Sequence, residues 1–331
     1  MSAPSWPDPL ALSSALGEAP ILAHVVRSGV VESVHHGTSV VTSADGAVTQ
    51  SWGDPTGPIF PRSASKPLQA LAMLEAGLDV PPHLLALACA SHSGEPFHLA
   101  GVREILARAG LTEDALQNTP AYPIDEHEHD AFVRAARPPS ALAQNCSGKH
   151  AAMLATTVAS GWDTHTYLDP GHPLQRAITR TVERLAGERV QAVAVDGCGA
   201  PLHYLPIVGL ARAFGRLAAA PDGTAEARVA DAMRTHPDHV GGTRRDVTAL
   251  IRAVPGLVAK DGAAGVYAVG LADGRGVAVK MADGNPRVKP LVLAAVLRRL
   301  DVGSEQIWSR LEHAPVLGHG APVGATVAVG I

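Results

Sequence analysis

A serine and a lysine separated by two residues can do acyl-transfer chemistry when a helix begins where they stand. In Phe60-Pro61-Arg62-Ser63-Ala64-Ser65-Lys66-Pro67, an extended, proline-rich region hands over to an apolar helical pattern through Leu68, Leu71, Ala72 and Leu74 that ends before Gly77. Pro67 suits a first helical turn, where its missing N–H costs nothing. Helix geometry from Ser63 onward brings Ser63 and Lys66 to one face. A serine hydroxyl attacks only once a base takes its proton, and a partly desolvated lysine with a lowered pKa is such a base. Ser-x-x-Lys is the arrangement of serine acyl-transfer enzymes. Taken alone, a serine-rich helix start also reads as a simple cap.

Four further stretches concentrate polar groups. Cys89-Ala90-Ser91-His92-Ser93-Gly94-Glu95 closes an apolar run with hydroxyls, an imidazole and a carboxylate; the plain alternative is a capping box opening a helix at Pro96. Gln144-Asn145-Cys146-Ser147-Gly148-Lys149-His150 precedes an alanine-rich helix, with Asn145 as a donor to a carboxylate and the helix start as an anion site. It lacks the second glycine of a phosphate-binding Walker loop. Asp196-Gly197-Cys198-Gly199-Ala200-Pro201 follows a valine-alanine run that reads as a buried strand. Cys146 and Cys198, with Lys149, Asp196 or His150 nearby, could hold zinc, but without Cys-x-x-Cys spacing they read as buried, inert thiols. Lys260-Asp261-Gly262 stands where Ser-x-x-Lys enzymes often carry Lys-Thr-Gly, a partial match. His127, His129, His236 and His239 fall in polar segments and read as surface residues.

The elements that must position these groups follow from the hydrophobic period. Residues 1–20 form a lead-in without clear period, and residues 21–331 form one catalytic domain. Short β-branched runs at Leu22–Arg27, Val30–His35, Ser39–Thr42 and Ala47–Trp52, with the turn signal Ala44-Asp45-Gly46, predict antiparallel strands. Residues 62–254 read mainly as helices. Strands return at Leu257–Lys260, Val266–Leu271 and Gly276–Met281, the last two joined at Asp273-Gly274, before a helix at Pro290–Leu300. Sheet segments in 21–60 and 255–331 around a helical middle give an α/β class of the α+β type, with one antiparallel sheet built from both ends of the chain.

Of 331 residues only 18% are charged and the net charge is −4, with no basic stripe. Nucleic acid and anionic membranes are therefore poor partners, and a small-molecule substrate fits better. Neither a signal-like start nor a long apolar run is present, which places the protein in the cytoplasm. Three cysteines in so long a chain do not form a disulfide framework.

Together, Arg62-Ser63-x-Ser65-Lys66-Pro67, Ser91-His92-x-Gly94-Glu95, Asn145-Cys146-Ser147-Gly148-Lys149-His150, Asp196-Gly197-Cys198-Gly199-Ala200-Pro201 and Lys260-Asp261-Gly262 resemble the thermolabile, rhizobial-type L-asparaginase II family. The blocks stand in the family's order and span about two thirds of the chain. The resemblance implies a fold like serine β-lactamases and glutaminases, and hydrolysis of L-asparagine through a serine acyl-enzyme. It implies two pairs, Ser63 with Lys66 and Ser91 with Lys260, Ser63 being favoured as nucleophile and Ser65 being too near to set aside. It also implies zinc on Cys146, Lys149 and Cys198 to orient substrate, with Asp196 and His150 behind them, which reverses the reading from spacing. Arg62, His92, Glu95 and Asn145 are then left to grip the substrate's charged end, and a homodimer is expected. A glutaminase, a β-lactam-type hydrolase or a non-catalytic zinc protein are the competing readings.

Overall fold

The computed structural model describes residues 14–331; residues 1–13 of the expected lead-in lie outside them. From the N-terminal side come β1 (Ile21–Arg27), β2 (Val30–Thr42) and β3 (Val48–Trp52). The middle contributes β4 (Pro58–Ile59), β5 (Ala192–Val195) and β6 (Pro201–Pro206). The C-terminal part adds β7 (Val258–Asp261), β8 (Val266–Gly270), β9 (Gly276–Met281), β10 (Pro315–Gly318) and β11 (Ala321–Ala328). The main sheet runs β10-β11-β1-β2-β9-β8-β7, with β3 on the far half of β2. Its pairs are antiparallel, and β1 meets β11 with Ala23 opposite Ala328. One sheet is thus built from both ends of the chain, as the strand pattern predicts.

Two expected strands, 30–35 and 39–42, are a single strand. The first half of β2 pairs with β1 and the second half with β9 and β3. Gly37 is the crossing point: a Cβ there would lie 2.8 Å from the Lys280 carbonyl oxygen. A second correction concerns β5. Its valine-alanine alternation predicts a buried strand, yet Val193 and Val195 are 44% and 75% exposed. β5 is the edge of a separate three-stranded sheet, β4-β6-β5, so no partner covers it. The helix Glu305–Glu312 and β10, which sequence patterning misses, close the far edge.

Helices cover both faces of the main sheet. Val288–Arg299 packs against β1, β8, β9 and β11, and Ile207–Ala218 lies across β2, β7, β8 and β9. The second helix comes unusually close because three glycines face each other. A Cβ on Gly270 would sit 1.9 Å from the Phe214 carbonyl oxygen, one on Gly276 1.9 Å from that of Ala211, and one on Gly215 2.3 Å from that of Gly274. Beyond this layer the helix Lys66–Glu75 runs through the helical region, packed against Pro173–Ala186, Ser147–Ala159 and Ala225–Thr235. Six of its first eight residues are within 1% of full burial, Lys66 included. Replacing Gly276 by alanine has to push helix and hairpin apart, and overpacking of this kind costs about 1–3 kcal/mol or more. The urea midpoint of Gly276→Ala is expected to fall accordingly, whereas Gly223→Ala, on a surface turn, gives the smaller control effect of a strained φ alone.

Candidate active site

The turn that carries Ser63 is strained and held in place. Residues Arg62–Ser65 form a 3-10 turn that continues into the helix Lys66–Glu75, so the helical geometry needed at Ser63 is present, in its tighter form. Arg62 has φ +53°, a left-handed conformation that costs a non-glycine residue about 1–3 kcal/mol and persists only where neighbours enforce it. Asp196 does so: Nε and Nη2 of Arg62 are each 2.8 Å from its Oδ1. Ser63 is 8% exposed and its hydroxyl makes no hydrogen bond to a described residue. Ser65 instead donates to the Arg62 carbonyl at 2.8 Å, which commits it to its own turn.

Lys66 is the centre of the cluster. Its ammonium, on a residue 1% exposed, donates to the Ala90 carbonyl at 2.5 Å, to Ser91 Oγ at 3.2 Å and to Cys146 Sγ at 3.1 Å. The direct partner of Ser91 is therefore Lys66, where the family resemblance pairs Ser91 with Lys260. Lys260 is fully buried and its ammonium is taken by Asp261, at 2.7 Å from the carbonyl and 2.6 Å from the carboxylate. Burial pulls the Lys260 pKa down to about 8; Asp261 opposes this and the charge of Lys66 adds to it. Asp261 is held well below the usual carboxylate range, because Lys260, Arg245 and Lys289 outweigh its burial. Arg245 sits 2.7 Å and Lys289 3.7 Å away. The strand is pressed against the Ser63 turn: a Cβ on Gly262 would lie 2.7 Å from the Pro61 oxygen and 3.2 Å from the Ala64 nitrogen.

The third group is two thiols between two lysines. Cys146 and Cys198 are buried and unbridged. Lys149, 2% exposed, donates to Cys198 Sγ at 3.2 Å. The hydrogen bond from Cys198, with Lys66 and Lys149 nearby, holds Cys146 well below the usual thiol pKa, and the same bond keeps Cys198 protonated. Burial pushes Lys149 down, but its hydrogen-bonded neighbour Cys198 and the charges of Cys146 and Asp196 outweigh it and keep the amine protonated. Behind them His150 places Nδ1 2.8 Å from the Tyr167 hydroxyl and leaves Nε2 without a partner. Two sulfurs and an amine brought together fit the donor set of a zinc-class ion once the protons leave.

The remaining expected residues separate. Asn145 lies beside the thiols, its Oδ1 3.5 Å from Cys146 Sγ. His92 is fully buried, its Nε2 2.8 Å from Ser147 Oγ and its ring stacked on His98, so it ties the Ser91 loop to the Ser147 helix rather than facing a ligand. Glu95 accepts from the Thr243 N–H and hydroxyl, both at 2.8 Å. Its neighbour Gly242 passes so close that a Cβ would lie 2.2 Å from Ser93 Oγ. Sequence reading misses Arg245, Lys289 and this Gly241-Gly242-Thr243 loop; the glycine pair before a charged run is the available signal.

A model of the L-asparaginase II family matches residues 23–328. No curated protein matches the chain. Among solved structures, two of Mglu, one of them in its native form, are 17% and 16% identical, with TM-scores of 0.43 and 0.44. They cover 80% and 81% of this chain, which spans 67% and 65% of theirs, about two thirds of their length. A beta-lactamase from Mycobacterium bovis is 15% identical over 86% of this chain and 97% of its own, with a TM-score of 0.38. The architecture given above rests on the sheet order and packing of the chain itself.

The thiol pair has a direct test. Cys198→Ala removes the hydrogen bond that contributes most to the low pKa of Cys146, so in chelator-treated protein the ultraviolet thiolate absorbance of Cys146 is expected to titrate at higher pH. An unchanged titration would mean that the lysines alone hold the thiolate.

Proposed function

This chain belongs to the L-asparaginase II family, and from that membership together with the site's geometry we propose that it hydrolyses L-asparagine to L-aspartate and ammonia through a serine acyl-enzyme. The observation that carries the reading is the Lys66 ammonium, which joins Ser91 and Cys146 beside the turn bearing Ser63.

Ser63 is the proposed nucleophile, because its hydroxyl makes no hydrogen bond to a described residue and it stands in the turn that runs into the helix Lys66–Glu75, and backbone N–H groups at a helix start suit a developing oxyanion. Lys260 is the lysine with a populated neutral form near neutral pH, and its strand lies against the Ser63 turn. It takes the hydroxyl proton as the Ser63 oxygen bonds to the amide carbon. Lys66, through Ser91, protonates the departing nitrogen as the C–N bond breaks, releasing ammonia. Water then attacks the ester carbon, its proton passing through Ser91 to Lys66, and Lys260 returns its proton to the Ser63 oxygen as the bond from that oxygen to the acyl carbon breaks, releasing aspartate. Cys146, Lys149 and Cys198 would hold a zinc ion, with Asp196 and His150 around them; when bound, the metal supplies a Lewis-acidic anchor for the substrate's α-amino and α-carboxylate groups. Arg62 and Asn145 are the residues best placed to complete that grip. The homodimer expected from the family belongs to the same proposal.

Ammonia release from L-asparagine is expected to fall by about three orders of magnitude or more in Ser63→Ala, the scale for loss of a serine nucleophile. Full activity in Ser63→Ala with none in Ser91→Ala would move the nucleophile to Ser91. Turnover of glutamine or a chromogenic β-lactam in preference to asparagine would favour the competing hydrolases. The kcat/KM profile of the free enzyme is expected to rise as pH passes about 8, where Lys260 loses its proton. Asp261 raises that pKa, so Asp261→Asn should move the rising limb to lower pH; a limb that stays in place would remove Lys260 from the role of base.

A further inference from the structure

His83, His236 and His239, the last two expected on the surface, meet in a cluster where the helix Pro82–Ala88 packs against the segment Pro237–Val240. Their ring centroids are 5.9 Å (His83–His236), 5.5 Å (His83–His239) and 5.8 Å (His236–His239) apart. All three are half-buried. Three imidazoles bound tetrahedrally to one ion at the usual zinc–nitrogen distance place their centroids about 3 Å from it and about 5 Å from one another. The observed triangle is wider than a ligated one, and the ring nitrogens do not converge as they stand: among the described residues only Asp125, His127 and Glu128 bring three ligand atoms within 4.8 Å of one another. The rings meet edge to face, at 69°, 69° and 84°, so binding requires rotations about χ2, a broad and soft torsion for histidine. No hydrogen bond from a described residue engages the His236 or His239 rings. Nε2 of His83 has only the distant Glu104 carboxylate at 3.9 Å. Burial, with the charges of His83 and His236, holds His239 down at about 4, and burial with His83 also lowers His236. Both rings are consequently neutral at physiological pH, the form that ligates.

We propose that His83, His236 and His239 form a second metal site, binding one divalent cation of the zinc class through three imidazole nitrogens, with water completing the shell, since Glu104 is already taken by Arg108 at 2.9 Å. The site goes beyond the reading of the active site and shares no residue with it. The acidic cluster of Asp125, His127 and Glu128 is a weaker candidate, since Arg244 already takes both carboxylates at 2.6 and 2.9 Å.

The location gives the ion something to do. His83 stands in the first turn of the helix Pro82–Ala88, which leads into the Ser91 loop, while His236 caps the short helix Pro237–Val240 and His239 lies within it. The same two segments are already joined at the far end, where Ser91 N donates to the Val240 carbonyl at 3.1 Å and Ser93 N to that of Gly241 at 2.8 Å. An ion on the three histidines clamps the other end of this junction, and so stiffens the support of the Ser91 hydroxyl from outside the site.

The test is zinc stoichiometry in metal-stripped protein dialysed against buffered zinc. His236→Ala/His239→Ala is expected to bind one equivalent fewer than wild type, and Cys198→Ala to keep the histidine-held ion. Zinc should also raise the melting temperature of Cys198→Ala, and this rise should disappear when the histidine pair is replaced as well. His83→Asn, a substitution at the rim, should lose the same equivalent with near-ultraviolet dichroism unchanged, which decides the matter if the double variant folds poorly. Equal zinc content in wild type and His83→Asn overturns the proposal, as does a melting temperature in Cys198→Ala that zinc leaves unchanged.

Discussion

A buried ammonium with no carboxylate beside it is the constraint around which the rest of the molecule is arranged. Lys66 cannot leave the interior, and a buried charge without hydrogen bonds is not tolerated. Its three protons are met by the Ala90 carbonyl, the Ser91 hydroxyl and the Cys146 sulfur. These acceptors come from segments far apart in sequence, so the need to satisfy one side chain fixes the mutual position of three loops. Breaking such an arrangement by removing a partner typically costs about 3–5 kcal/mol. The helix that carries Lys66 is correspondingly the most enclosed in the fold.

The two neighbouring lysines are managed differently, each through an acid that an arginine braces. Asp261 faces Lys260 and is held from behind by Arg245 and Lys289. Asp196 acts on Lys149 through its charge while gripping Arg62 directly. The second arrangement links the thiols to the strained residue just before Ser63, so the loop bearing Cys198 and the turn bearing Ser63 cannot shift independently.

Much of this was legible in the sequence where the signal is local. Alternating β-branched residues marked β1, β3, β8 and β9, and Asp-Gly pairs marked both hairpins, because period and turn chemistry are properties of adjacent residues. The helix start at Lys66 was legible for the same reason. Contacts that depend on three-dimensional closure were not. Nothing near Ser91 tells that Lys66 rather than Lys260 reaches its hydroxyl, and nothing in Val193 or Val195 tells that their strand joins a small separate sheet with an open edge. The buried role of His92 was hidden for a related reason: a polar cluster after an apolar run looks alike whether it faces a ligand or the Ser147 hydroxyl. His83 gave no hint of His236 and His239, since proximity across so long a loop leaves no trace in spacing.

The pairing of β1 with β11 also determines when the molecule can come into being. Contacts such as Ala23 with Ala328 are about as non-local as the chain permits, and closing so long a loop must precede any gain from the strands it brings together. During synthesis β1 and β2 emerge early with their outer neighbours still missing, and Lys260 arrives long after Ser63. The helical middle can collapse around Lys66 in the meantime, but the strand that backs the Ser63 turn is made too late to help. Lys260 can join the cluster around Lys66 only once the C-terminal strands are made, and a nascent chain that lacks them exposes unpaired strand edges, a state vulnerable to aggregation.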